Sequence, residues 1–285
     1  MSKKKLGRMG WLRDLPDFRD LHVGTAKVAE VLTQSKALKR IATKLGTPVD
    51  LRRWCSPVED QGDIGSCTAN AGVALLEYFQ RRATGKHLDA SRLFLYKTTR
   101  NLLGWTGDDG AFLRTTMKAM VLFGIPPEEY WQYEKARLNE EPPAFCYAFA
   151  QNYKSIIYYR LDPPGTPPDD ILANVRKCLS SGLPAMFGFT VYSSMPGVGD
   201  KTADIPFPGD KDSCEGGHAV VAVGYDDSHR IGKCTGALLI RNSWGNEWGD
   251  HGYGWLPYDY VTRGLADDFW TLLRAEYRDL AKFEE

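Results

Sequence analysis

The sequence lacks an excess of charge of either sign and lacks any long apolar run. Lys and Arg together number 36, Asp and Glu also number 36, and the formal net charge is zero. A nucleic-acid or anionic-membrane partner generally requires a basic surface, so neither partner is predicted. Apolar runs also stay well short of the roughly 20 residues that a membrane helix needs, so the sequence predicts no membrane-spanning helix.

The first residues lack the apolar region of a secretory signal. Met1 and Ser2 precede three lysines, and no apolar stretch follows them. A signal peptide needs such a stretch after its basic start. We therefore expect the protein to be cytoplasmic, or exported without a recognisable signal peptide.

Cysteine is sparse. Six cysteines in 285 residues do not define a disulfide framework. Cys178 falls on the apolar face of a predicted helix with Val175 and Leu179, so we expect it in the core. Cys214 lies four residues before His218, a spacing found in zinc sites, but no second ligand pair is visible. The sequence therefore predicts no metal and no cofactor.

What is present is an ordinary globular composition, with 43% apolar and 25% charged residues. This length allows one large domain or two small ones. Periodicity predicts a mostly helical part over about 50–140 and a β-rich part over about 150–275, an α+β fold with a cleft between its halves. The predicted helices are 67–84, 90–100, 110–123 and 169–180, and the predicted strands are 153–161, 185–191, 219–225, 237–241, 253–261 and 269–273. Residues 192–213 are expected to form a long surface loop.

Residues 1–47 form an N-terminal extension ahead of this domain, which covers 48–285. Residues 11–20 mix apolar and charged side chains around Pro16 and are expected to be extended. Residues 27–45 show an apolar stripe typical of an amphipathic helix, which Gly46 and Pro48 end.

The stretch 61–71 is polar and rich in turn residues up to Ser66, and then becomes helical. Ala71, Ala74 and Tyr78 recur on one face, and Ser66 is a suitable N-cap. Cys67 is therefore predicted in the first turn of a buried helix, where the partial positive charge of the helix N-terminus favours a thiolate. The alternative is a small apolar side chain that only fills space at a helix start.

Two further residues stand at the ends of predicted strands. His218 follows two glycines and begins the apolar run 219–223, and Asn242 follows the apolar run 237–240. A strand entrance and a strand exit can meet at one end of a sheet, where sites are commonly built. The order in the chain is Cys, His, Asn.

With these residues the chain resembles the papain family of cysteine proteases, in a branch with a short prosegment that looks microbial. The matching blocks run from about residue 49 to 256 and agree in residue type, spacing and order. They are residues 57–62 (PVEDQG), 65–67 (GSC), 217–220 (GHAV), 223–225 (VGY), 242–245 (NSWG), 248–249 (WG) and 252–253 (GY).

The resemblance implies a papain-like fold and peptide hydrolysis through a Cys67 acyl-enzyme. It assigns His218 as the acid–base partner of Cys67 and Asn242 as the residue that orients the His218 ring. Gln61, six residues before Cys67, has the family spacing of the oxyanion-hole side chain. Trp244 would shield the contact between His218 and Asn242.

The resemblance also implies a substrate-binding surface, with glycines that leave backbone groups free to pair with an extended peptide. Phe112 suggests an apolar second side chain in the substrate. The implied residues are Asp109, Gly110, Ala111 and Phe112 on one wall, Gly188 and Gly217 on the other, and Trp248 on the leaving-group side.

The chain departs from the family at Thr68, where Trp is usual, and at Ile64, where a disulfide-bonded Cys is usual. Thr68 in place of Trp should change the packing behind the nucleophile. Ile64 in place of a disulfide-bonded Cys fits a reducing compartment. Two alternatives remain open: a catalytically restrained binding module, and an acyl transferase on the same fold. We expect a monomer that acts on peptides or proteins, and a zymogen whose N-terminal segment covers the cleft in cis. A helix docked on the back of the domain is the alternative for that segment.

Overall fold

The computed structural model describes residues 5–34 and 47–277. Within these ranges, no helix is long and apolar enough to cross a membrane. The helices are α1 (Ala26–Gln34), α2 (Cys67–Thr84), α3 (Arg92–Leu103), α4 (Leu113–Leu122), α5 (Ala144–Ala150), α6 (Pro168–Ser180) and α7 (Asp259–Thr262). The strands are β1 (Trp11–Leu12), β2 (Val49–Asp50), β3 (Ala111–Phe112), β4 (Tyr153–Arg160), β5 (Ala185–Tyr192), β6 (Cys214–Ile231), β7 (Cys234–Arg241), β8 (Tyr253–Pro257) and β9 (Ala266–Tyr277).

The β-rich half is a seven-stranded sheet in the order β4-β9-β5-β6-β7-β8, with β2 paired to β6. All of these pairings are antiparallel. The helical half comes first in the chain and contains α2, α3, α4 and α5. This is the predicted α+β arrangement, with helices first and sheet second.

Helix α2 lies at the junction of the two halves and packs against β6, β9, α3 and α4. Most of its side chains, from Cys67 to Tyr78, are buried, because it is covered on several sides. Its C-terminal stop is the predicted one: Gly85 has φ +74°, a left-handed conformation that glycine adopts without steric cost. The packing of this helix therefore fixes the position of Cys67 relative to the sheet.

The N-terminal extension lies on the junction between the two halves. β1 pairs in parallel with β3, with Trp11 opposite Ala111 and Leu12 opposite Phe112. β1 also contacts β5 and β6. The extended conformation predicted for 11–20 is present as a regular strand only at these two residues.

Three sequence predictions need correction or restriction. The predicted strand 253–261 ends at Pro257, because the chain turns there into the short helix α7. The strand predicted at 219–225 is much longer, since β6 continues into the polar, partly exposed end of a hairpin with β7. The predicted helix 27–45 is observed as α1, and its remainder from residue 35 lies outside the described residues.

Candidate active site

The three candidate catalytic residues come from three elements that meet at one end of the sheet. Cys67 is the first residue of α2, His218 lies in β6, and Asn242 directly follows β7. Antiparallel pairing of β6 and β7, with Val221 opposite Arg241, brings the last two side chains together. His218 Nε2 and Asn242 Oδ1 are 2.7 Å apart.

The tautomer of His218 follows from its partner. Asn242 Oδ1 also accepts a hydrogen bond from the Ser243 backbone amide at 2.8 Å, which identifies this atom as the oxygen of the Asn242 side chain. His218 Nε2 therefore carries a proton and donates a hydrogen bond to Asn242 Oδ1. His218 Nδ1 is buried without a hydrogen-bond partner in the described part of the chain. The Trp244 ring lies against the imidazole, with centroids 4.8 Å apart and planes tilted by 32°. The imidazole is thus held from one side and free to exchange a proton at Nδ1.

Cys67 is fully buried beside the backbone of Ala219, the residue after His218, and beside the backbone of Gly10. Burial raises the pKa of the Cys67 thiol to about 12, and the neighbouring backbone groups offset only part of this. Burial likewise lowers the pKa of His218 to about 4, while Asn242 acts in the opposite direction. The helix N-terminus was expected to favour a thiolate. In this covered arrangement desolvation is larger, and it favours a neutral thiol beside a neutral imidazole.

Gln61 is fully buried, and neighbouring groups fix its side-chain amide. Its Oε1 accepts a hydrogen bond from the Ser243 hydroxyl at 2.6 Å. Its Nε2 donates to the carbonyl oxygens of Ile64 and Arg8, each at 2.9 Å. Gln61 therefore presents one N–H to a backbone oxygen of the N-terminal segment.

The turn before Cys67 is held by two residues that sequence reasoning missed. The Tyr133 hydroxyl donates to the Gln61 carbonyl at 3.0 Å and lies 2.5 Å from the Ser66 hydroxyl. Asp108 accepts from the Gly65 amide at 2.9 Å. The Ser66 hydroxyl therefore bonds Tyr133 and makes no cap of α2, contrary to the prediction. No local sequence signal marks these contacts, because Tyr133 and Asp108 are distant in the chain.

The N-terminal segment, here residues 5–14, lies along both predicted substrate walls. The Gly10 amide donates to the Gly217 carbonyl at 3.2 Å, and the Gly10 carbonyl accepts from the Ala111 amide at 2.8 Å. Trp11 packs on Gly188 and Gly217, and a Cβ at Gly188 would overlap its indole. Gly110 has φ +82°, and a Cβ there would overlap the Gly10 carbonyl. The glycines on these walls thus leave room for a peptide backbone.

The remaining predicted site residues are Phe112, Asp109 and Trp248, and each has different surroundings. Phe112 pairs with Leu12 of the segment, whereas Asp109 is exposed. Trp248 is fully buried, and its indole N–H donates to the Pro196 carbonyl at 3.0 Å. It packs edge-on against Trp244, with ring centroids 6.0 Å apart. Its predicted contact with the leaving group stays a prediction.

Several known proteins are similar to this chain. Residues 45–268 match the model of the family described as "Papain family cysteine protease". An uncharacterized peptidase C1-like protein of Acanthamoeba polyphaga mimivirus is 32% identical over 274 residues, which cover 92% of this chain and 86% of that protein. Chicken (Gallus gallus) cathepsin K is 29% identical over 77% of this chain, which spans only 61% of that protein. The crystal structure of xylellain, a cysteine protease from Xylella fastidiosa, is similar with a TM-score of 0.73 and 35% identity, over 98% of this chain and 99% of that one.

Proposed function

Because the chain belongs to the papain family of cysteine proteases, we propose that it hydrolyses peptide bonds through a thioester on Cys67. The observation that carries this proposal is the hydrogen bond of 2.7 Å between His218 and Asn242, which leaves His218 Nδ1 free. Cys67 lies beside the backbone of the residue next to that histidine. Nucleophile, base and orienting group are the three parts that thiol catalysis needs.

In the first half-reaction, the Cys67 proton passes to His218 Nδ1 and the sulfur attacks the scissile carbonyl. The resulting imidazolium, held by Asn242, protonates the leaving amine as the C–N bond breaks. In the second half-reaction, water attacks the thioester, gives a proton to His218 and releases the acid. Asn242 suits its position because it orients the ring without adding a negative charge.

The oxyanion is stabilised by Gln61 Nε2 and the backbone N–H of Cys67. Donors fixed before the reaction are effective because they need no reorganisation when charge develops. The Ser243 hydroxyl, 2.6 Å from Gln61 Oε1, holds the amide so that its N–H points outward. In the structure described here that N–H binds the Arg8 carbonyl, 2.9 Å away.

We propose that the arrangement described here, with the N-terminal segment in the cleft, is a latent state. Gly10 bonds both walls, Trp11 fills the space over Gly188, and Arg8 occupies the Gln61 donor. Burial keeps Cys67 and His218 neutral in this covered arrangement, and we expect removal of the segment to expose the site to water and allow the thiolate–imidazolium pair to form. This supports a role as a zymogen that is restrained in cis.

The freed cleft binds an extended peptide along the same walls. The backbone groups of Gly217 and Ala111, which now bind Gly10, are available to a substrate backbone once the segment leaves. All of these groups come from one chain, which supports a monomer as the active unit. The formal net charge of zero supports no nucleic-acid partner.

Cys67→Ala tests the proposal directly. The full-length variant should fold and cleave no member of a peptide library at a measurable rate, because the sulfur that forms the thioester is gone. Cys55→Ala is the matched control, since Cys55 is also buried but lies outside the site. Mass spectrometry after treatment with a peptidyl electrophile should show modification at Cys67 in the wild type and in the control. Cleavage by Cys67→Ala, or labelling at another cysteine, would contradict the assignment.

A further inference from the structure

The N-terminal extension does not simply lie in the cleft, because two of its acidic side chains enter a buried charge cluster beyond it. We call this cluster the latch. It consists of Asp14 and Asp20 from the extension and Arg114, Arg160 and Asp268 from the rest of the chain. Asp14 and Asp268 have side-chain exposures of 1% and 0%. Charges are seldom buried so completely unless they are paired, so the latch is a specific contact.

Asp14 closes the N-terminal end of helix α4. Its carboxylate accepts from the Arg114 amide at 3.1 Å and from the Trp270 indole N–H at 3.0 Å. The Arg114 guanidinium is 4.0 Å away. The backbone N–H groups in the first turn of a helix otherwise have no partner, so this carboxylate satisfies a donor that would be buried without one.

Asp268 joins the latch to the part of the segment in the cleft. One of its oxygens accepts from the Asp14 amide at 2.8 Å and from the Trp11 indole N–H at 3.1 Å. Its other oxygen accepts from Arg160 at 2.6 Å. Asp268 has φ +61°, an unusual conformation for a residue other than glycine. Movement of Asp14 therefore also removes hydrogen bonds that hold Trp11 over the substrate wall.

Asp20 and Arg114 form the second attachment. The guanidinium of Arg114 binds both oxygens of Asp20, with its shortest contact at 2.6 Å. The Nη1 atom of Arg160 lies 3.9 Å from Oδ2 of Asp20. Planar, two-point pairing of this kind is the strong form of an ion pair.

The latch holds more negative than positive charge. Arg160 also binds Asp162 at 2.9 Å, so two guanidinium groups serve four buried or nearly buried carboxylates. Two lysines face the latch, Lys27 from α1 and Lys118 from α4, but both are exposed, so solvent screens their charge. The other facing groups are Tyr158 from β4 and two ion pairs whose charges cancel, Asp267 from β9 with Arg13 and Asp17 with Arg19.

We propose that the latch holds the N-terminal segment most tightly at acid pH and releases it as the pH rises to neutrality. The proposal rests on the cleft-covering role given above, and adds the chemistry that regulates it. When the segment leaves, Asp14 passes from a buried site next to Asp268 into water. An uncharged Asp14 is accommodated in the latch more easily than a charged one, because the buried site already has excess negative charge.

The direction of the pH effect follows from proton linkage. Burial, with repulsion from Asp268, raises the pKa of Asp14 from 3.8 to about 7 when the segment is docked. In the released segment the carboxyl has an ordinary pKa, so docking takes up a proton between these two values. Docking is then strongest below the ordinary pKa and weakens by up to about tenfold per pH unit until the pH passes about 7.

The catalytic pair does not produce the same effect. The neutral Cys67–His218 pair and the thiolate–imidazolium pair contain the same number of protons, so proton transfer within the pair leaves docking independent of pH. Asp14, together with the facing Asp268, therefore accounts for the trend, and replacing Asp14 with a side chain that cannot ionise removes the repulsion between the two carboxylates.

The test measures opening of the segment without using hydrolysis by the protein itself. All variants carry Cys67→Ala and His218→Gln, so that neither residue of the catalytic pair titrates, and trypsin cleavage after Arg8 is followed by mass spectrometry from pH 5 to pH 8.5. Each rate is divided by that of a free peptide with the sequence of residues 5–20 and the same substitution, which removes the pH dependence of trypsin. The variants are Asp14→Asn, Asp20→Asn and, as a matched control, Asp17→Asn. Asp17 pairs with Arg19 at the surface of the same segment.

The parent chain and Asp17→Asn should show a normalised cleavage rate that rises by at least tenfold between pH 5 and pH 7 and levels off above that. Asp14→Asn should show a flat profile. Asp20→Asn should cleave faster at every pH but keep the rising profile, because Asp14 is intact. A flat profile for the parent chain, or a rate that rises as the pH falls, would overturn the proposal whether or not the enzyme hydrolyses peptides. So would a rising profile in Asp14→Asn, and if that variant does not fold, the parent and Asp20→Asn profiles still decide.

Discussion

At the scale of single residues, the neighbours of Gln61 fix its side chain in a way that suits the proposed oxyanion role. It is fully buried, and the Ser243 hydroxyl and the Ile64 carbonyl fix its amide at 2.6 and 2.9 Å. Its remaining interaction is with Arg8, in the segment that leaves the cleft under the proposed zymogen role. A substrate oxyanion would then replace a backbone carbonyl as the acceptor.

Gln61→Ala should lower kcat by roughly 10²-fold, because it removes one of the donors aimed at the oxyanion. Labelling of Cys67 by a small alkylating agent should change much less, since alkylation creates no oxyanion. Steady-state hydrolysis and alkylation rates of the same preparations would separate these effects. Gln132→Ala is the control, because Gln132 is exposed and distant in sequence. Equal, small losses in both assays would show that Gln61 is not the donor.

At the scale of elements, helix α2 supports the site through buried polar contacts. Glu77, fully buried on α2, accepts a hydrogen bond from the Ala90 amide just before α3 at 2.9 Å. Burial raises the pKa of Glu77 from 4.5 to about 8, although Arg241 acts in the opposite direction. The carboxyl is therefore neutral in the folded protein at neutral pH, and it must become charged on unfolding.

Glu77→Gln should change how stability depends on pH. Between about 4.5 and 8 the folded protein binds a proton at Glu77 that the unfolded chain does not, so the wild type loses up to about 1.4 kcal/mol of stability per pH unit from this group. Gln cannot ionise, so the variant should unfold at a urea midpoint similar to the wild type at pH 5 and at a higher midpoint at pH 8. Glu129→Gln, an exposed control, should follow the wild type. A constant difference between Glu77→Gln and the wild type at all pH values would contradict this.

The elements were largely predictable from sequence, and their exceptions have physical causes. Helix α2 was predicted from the spacing of its apolar residues and from Gly85, which has the expected left-handed conformation. The full length of β6 was not predicted, because its continuation through Asp226 and Asp227 is partly exposed and polar and its pairing with β7 comes from the hairpin. The spacing of apolar residues in a sequence indicates which segments are buried. It does not reveal a polar strand whose conformation comes from pairing with a neighbouring strand.

The site was predictable in a different way. The meeting of His218 and Asn242 was expected from their positions at strand ends, whereas their convergence with Cys67 came from the resemblance to a family. The latch gave no signal at all, because Asp14 meets Asp268 across 254 residues of chain. The raised pKa of Cys67 was also missed, since it depends on how completely the fold buries the thiol.

At the scale of the whole molecule, the cleft between the helical half and the sheet is filled by the chain's own N-terminal segment. The segment bonds to β3 on the helical side and to Gly217 on the sheet side, and it continues into the latch. A tethered segment needs little intrinsic affinity, because the tether holds it at roughly millimolar effective concentration. The proposed restraint therefore draws on the tether that connects the segment to the domain.

Removal of the extension should activate the enzyme. A chain that begins at Thr47 should hydrolyse a small peptide substrate faster than the full-length chain, because Gln61, Gly217 and Ala111 lose their contacts with Arg8 and Gly10. A separate peptide of residues 1–46 should slow it again in a concentration-dependent way. The same peptide with Trp11→Ala should inhibit less, since it lacks the indole that packs on Gly188 and bonds Asp268 at 3.1 Å. A peptide with Leu15→Ala is the control, because Leu15 is 76% exposed. If the two chains are both folded by circular dichroism and hydrolyse the substrate at equal rates, the segment does not restrain catalysis and only packs on the domain.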